Sequence, residues 1–168
     1  MRITLDGNTL GKIGIIGMES SNLKNNELIS GISILAVLKY VNSIEISKCL
    51  LIEPLLSYTR VLLVLKRVNS SIKSIEDLII KESITFTNFN SRFQDKLLLS
   101  INSIILFEKL GLLKISNDRV LFTGLKFDFN NPTLGVKAKD RIGAAKRLAN
   151  ILMKGSASEM YLSLRVEI

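Results

Sequence analysis

From Arg92 to Leu110 the chain runs without proline or glycine. Along it Phe93, Leu97, Ile101, Ile104, Ile105 and Leu110 recur at the three- and four-residue spacing of one helix face. A half-buried strand would alternate instead, so this segment predicts a long amphipathic helix. The run ends at Gly111, a residue common just past a helix end because it has no Cβ to clash in left-handed backbone. Two short β-prone runs follow, Leu112–Ile115 and Val120–Thr123. The polar Ser116-Asn117-Asp118-Arg119 between them reads as the turn of a hairpin.

Helix, Gly-Leu-Leu and hairpin is the order of a winged-helix domain. In winged helices that read DNA, the wing and the helix before it present basic side chains to phosphates. The wing here offers Lys114 and Arg119, countered by Asp118. Those are few cations, so an architectural winged helix is preferred over a DNA-reading one.

The other elements follow the same kind of argument. Glu27–Val41 predicts a helix through Leu28, Ile32, Leu35, Leu38 and Val41. Ser43–Leu50 reads as a further helix capped by Ser43. Pro54 would start another helix running to Lys66, with Arg60, Lys66 and Arg67 crowding its end. Ser74 with Asp77 three residues on caps a short helix. The adjacent carboxylates Glu76 and Asp77 then belong to its solvated first turn rather than to an acid–base pair. Ile84–Asn90 reads as a turn or extended link, and Asn130-Asn131-Pro132 as a loop. Residues 1–26 read as a loosely packed arm that includes Gly11, Gly14 and Gly17, whose spacing is not that of a dinucleotide-binding loop. At the far end Leu162, Leu164, Val166 and Ile168 alternate with polar residues, as in a half-buried strand. The preceding Ser-Ala-Ser-Glu could instead cap a short helix.

Charge gathers in one place. Lys139–Lys154 predicts a helix whose apolar face is Ile142, Ala145, Leu148, Ala149 and Leu152. Lys137, Lys139, Arg141, Lys146, Arg147 and Lys154 surround it, with Asp140 the one acid. The net charge of the whole chain is +8, so this helix carries more than half of it. Those six cations are the candidate contacts to DNA or to an acidic partner, with Lys114 and Arg119 as candidate wing contacts.

Composition narrows the chemistry. There is no histidine and a single cysteine, which removes Ser-His-Asp and Cys-His nucleophiles and both His- and Cys-based zinc sites. No Walker loop occurs. No catalytic, cofactor-binding or metal-binding residues are assigned. Cys49, within Cys49-Leu50-Leu51-Ile52, reads as a small buried hydrophobe rather than a reactive thiol. No secretory signal is visible at the start, which together with the lone cysteine fits a cytoplasmic protein. Mean hydropathy is +0.32, yet no apolar stretch approaches the ~20 residues a bilayer span needs. The excess is therefore assigned to surface that another protein covers.

An Asn-x-Leu lead into an apolar helix stands here as Asn26-Glu27-Leu28, and Leu50-Leu51-Ile52-Glu53-Pro54 precedes Arg60, Lys66 and Arg67. Arg92-Phe93 leads into the apolar helix Ser100–Leu110 and Gly111-Leu112-Leu113. A basic helix with Ala144-Ala145 and Leu148-Ala149 then precedes Tyr161-Leu162-Ser163-Leu164-Arg165-Val166-Glu167-Ile168. In this order the segments, over residues 26–168, resemble the middle component of three-component ABC systems, the group that includes Lamassu-type anti-phage defence. The resemblance implies a non-catalytic adaptor in a hetero-oligomer. Its partners would be an SMC/Rad50-like ATPase and an effector subunit of nuclease type, with DNA reached through the complex. No catalytic residue is carried over. The expected fold is α+β and mainly α: an arm over residues 1–26, then a helical domain over 27–168 containing a winged-helix-like helix and β-hairpin. The alternative is a free-standing winged-helix DNA-binding regulator.

Overall fold

The computed structural model describes residues 21–167. Helix α1 (Ser21–Val41) forms the axis of the fold. It begins before Glu27, so the last part of the expected arm is helical; the rest, with Gly11, Gly14 and Gly17, lies outside the described residues. From Ser30 to Leu38 every residue of α1 is buried, which requires neighbours all round. Those neighbours are α7 (Phe89–Lys109) on one side and α8 (Gly135–Leu152) on the other. Small residues on α1 allow the close approach. At Gly31 a Cβ would lie 2.0 Å from the ring of Phe107 on α7.

The hairpin forms as expected, with β2 (Leu113–Ser116) and β3 (Arg119–Phe122) joined through Asn117 at φ +55°. Gly111 takes φ +74° at the end of α7. The expected helix at Ser43 is corrected: Ser43–Glu45 is strand β1, antiparallel to β3 with Ile44 opposite Val120. Asn42 ends α1 at φ +60°, a conformation Asn tolerates, and turns the chain into the sheet. There β1 takes up the otherwise unpaired edge of β3 and buries Ile44. The sheet order is β1-β3-β2, so a winged-helix-like helix and hairpin stands within a mainly helical α+β fold.

Between sheet and α7 the chain makes short helices: α2 (Ile46–Cys49), α3 (Ile52–Leu56), α4 (Thr59–Lys66), α5 (Ile75–Lys81) and α6 (Ser83–Phe86). The single helix expected from Pro54 to Lys66 is divided, because Tyr58 adopts extended backbone at φ −84°, ψ 118°. Pro54 sits in the first turn of α3, where its missing N–H would have had no helical partner. Ser74 and Asp77 form the full reciprocal cap of α5, Asp77 N–H donating to Ser74 Oγ and Ser74 N–H to Asp77 Oδ2. Glu76 beside them is held below the ordinary carboxylate range by backbone N–H and the Ser74 hydroxyl. The segment expected as a turn or extended link forms α6 and the start of α7 with a turn at Thr87-Asn88 between them, drawn in by the buried rings of Phe86 and Phe89, 5.5 Å apart.

At the C-terminal end the capped helix forms, not the alternating strand. Ser156 and Glu159 make a capping box, and Ala157–Ser163 is helix α9. Met160, Tyr161 and Leu164 turn inward while Leu162 faces out, so the local cap overrides the alternation. Tyr161 donates to the Ser47 carbonyl at 2.7 Å and packs edge-on against Phe93. This terminus therefore packs on the body.

Cys49 is fully buried in the core, and that burial pushes its thiol up to about 12. An aromatic disulfide reagent at pH 8 is therefore expected to label the native protein only at its opening rate, and at once in 6 M guanidinium chloride. Fast native labelling would show that the core around α2 is open.

Candidate functional site

The cations proposed from sequence fall into two groups. Arg141 points inward and forms a two-pronged ion pair with Glu53 on α3, whose side chain is 3% exposed; Arg141 Nη2 to Glu53 Oε1 is 3.2 Å. Arg147 lies against the end of α4 and donates to the carbonyls of Leu65, Arg67 and Val68. Carbonyls at and just past a helix end have no intrahelical donor, so a guanidinium there supplies one. Arg119 donates to the hydroxyl and carbonyl of Ser43 across β1 and β3. Arg141, Arg147 and Arg119, candidate contacts by sequence, are thus each engaged by groups within the fold. A guanidinium's fork of donors suits it to bonding several oxygens at once.

Lys137, Lys139, Lys146 and Lys114 are exposed. Lys139 and Lys146 share an outward ridge of α8 with Val136, Gly143, Asn150 and Met153. Lys154 lines a small cleft between α5 and α9 together with Glu76 and Glu159, where acids outnumber it. What remains of the basic face is a few lysines spread along a helix, suited to weak electrostatic attraction.

Two surface features were missed from sequence. The first is an apolar stripe on α7. Leu98 is 67% exposed, and Ile101 and Ile105 are each 39% exposed. Ile101 and Ile105 were expected in the core. The buried face of α7 instead runs through Phe89, Phe93, Ser100, Ser103, Ile104 and Phe107. Ser100 and Ser103 donate to the carbonyls of Lys96 and Leu99 one turn back, which satisfies their hydroxyls inside the core. The small serines let α1 come close and rotate the isoleucines outward. Asn102, between the exposed residues, donates to Glu27 of α1 at 3.2 Å.

The second feature is a cleft of about 590 Å³ where the first turns of α4 and α7 meet, bordered by α6. Arg60, Arg92 and Lys96 line it, with Asp95 as the single acid and Thr59, Thr85, Asn88 and Ser91 as neutral polar groups. Arg60 had been expected at the end of a helix. The break at Tyr58 places it in the first turn of α4 instead. Arg92 stacks on Tyr58, its guanidinium carbon 4.0 Å from the ring centroid. No sequence motif joins these positions, and only the division of the Pro54–Lys66 segment brings them together.

Among the described residues no cluster of three or more His, Cys, Asp or Glu side chains is placed to hold a metal ion, and no helix is long and apolar enough to cross a membrane. No protein-family model, curated protein or solved structure matches this chain.

Proposed function

We propose that the chain is a non-catalytic adaptor subunit that links an SMC/Rad50-like ABC ATPase to an effector of nuclease type, in a cytoplasmic complex that defends bacteria against phage or plasmids. The order of its segments supports the family part of this reading. One observation carries the adaptor part: the exposed stripe of Leu98, Ile101 and Ile105 on α7. Helix α7 directly precedes the hairpin, where a DNA-reading winged helix would place its groove-facing helix. A groove-facing helix needs donors and cations for bases and phosphates. This one offers leucine and isoleucine, which suit the apolar centre of a protein interface. The wing agrees, since Arg119 is committed to Ser43, which leaves Lys114, opposite Leu121, as the exposed cation of the hairpin.

The lysines of α8 then act as a supporting positive face, steering the subunit toward an acidic partner or toward DNA already held by the complex. The competing regulator reading makes a different forecast in a titration of the isolated chain against duplex DNA. Our reading expects weak, sequence-blind binding that disappears between 50 and 200 mM salt. A site-specific complex that persists at physiological salt would instead establish the regulator.

A further inference from the structure

The cleft at the starts of α4 and α7 plays no part in the adaptor reading, and its chemistry is that of an anion receptor. Neither helix has a side-chain N-cap: Tyr58 and Asn88 stand at the cap positions without a capping hydrogen bond. The first N–H groups of a helix lack intrahelical partners and carry partial positive charge. Around the same space stand three cations and one carboxylate. Among the described residues, the ion pairs are Lys48–Glu45, Lys66–Asp140 and Arg141–Glu53, so Arg60, Arg92 and Lys96 engage no carboxylate. Arg92 is already held in place by its stack on Tyr58 and by Nη1, which donates to Ser57 Oγ at 3.5 Å. Thr59, Thr85 and Ser91 supply hydroxyls that donate to an anion's oxygens.

We propose that this cleft binds a phosphate monoester, with Arg60, Arg92 and Lys96 as its charge partners and the organic part of the ester lying over exposed Ile84. A surplus of two positive charges matches the dianionic monoester better than a singly charged diester. The volume falls in the range of small-ligand sites, and the apolar Ile84 at its border gives a nucleoside a surface to cover. Such a group occurs on a free nucleotide and at the phosphorylated end of a nucleic-acid strand. Either would sit beside the Leu98–Ile105 stripe, because Asp95 and Lys96 directly precede it on α7.

The test uses the full chain alone, so it succeeds or fails independently of any partner. Thymidine 5′-monophosphate is titrated by calorimetry beside thymidine, and a 5′-phosphorylated oligothymidine beside its 5′-hydroxyl counterpart. Saturable binding of the monophosphate but not of thymidine is expected. Arg60→Gln and Lys96→Gln should each weaken it by about tenfold, the usual worth of one charge-assisted hydrogen bond. Asp95→Asn should tighten it, a gain that no loss of folding can imitate. Preference for the phosphorylated oligonucleotide would place the ester at strand ends, and its exclusion would leave the free nucleotide; both outcomes retain the site. Equal binding of thymidine and its monophosphate, absence of saturation, or indifference to all three substitutions would overturn the proposal.

Discussion

Arg141→Ala is expected to destabilise the fold by about 3–5 kcal/mol, the usual cost of removing one partner from a buried ion pair. Glu53 is 2% exposed and loses both of its guanidinium contacts. The pair also ties α8 to α3, elements distant in sequence that pack on the same central helix. The expected magnitude is a large fraction of the total stability of a domain this size. Urea denaturation followed by circular dichroism measures it. The double substitution Glu53→Met with Arg141→Met should recover most of the loss, since apolar groups of similar volume leave no charge unpaired. A double variant as weak as Arg141→Ala would show that geometry unrelated to charge holds these helices together.

The second large effect concerns the contact between α1 and α7. Phe107→Ala should cost about 3–5 kcal/mol through the cavity it leaves. Gly31→Ala should cost about 1–3 kcal/mol by the opposite route, because its new methyl meets the buried Phe107 ring at 2.0 Å and that ring has no free space to enter. Combined, the two changes should cost less than their sum, since the methyl occupies part of the vacated volume. Strict additivity in a double-mutant cycle would mean that the residues do not share this space.

Those predictions also mark where sequence and structure part company. The hairpin, the Ser74 cap and the basic helix were legible because each depends on residues within a few positions of one another. Strand β1 was not, because Ser43 is an equally good helix cap until β3 offers it an edge. The face of α7 was misread for a related reason. Serine counts as polar in a periodicity argument, yet Ser100 and Ser103 bond to their own helix and belong to the core. The C-terminal segment carries both a strand's alternation from Leu162 to Ile168 and a helix cap at Ser156–Glu159, and the cap, which acts over a shorter range, prevails. The candidate contacts divided by chemistry: the arginines Arg119, Arg141 and Arg147 became internal ties, whereas most lysines stayed in solvent. Lysine's compact, strongly hydrated charge makes that division physically reasonable. The basic cleft was invisible in the sequence because its cations belong to helices whose junction depends on one extended residue, Tyr58.

The adaptor claim rests on the α7 stripe, and it is tested most directly by co-expressing the chain with the products of its neighbouring genes and resolving the mixture by size-exclusion chromatography. The account predicts that the native chain elutes with an ATPase and an effector. It further predicts that Leu98→Asp with Ile105→Asp elutes alone, with an unchanged circular dichroism spectrum and melting temperature. A native chain that elutes as a free monomer beside both products, or an aspartate variant that remains bound to them, would contradict it.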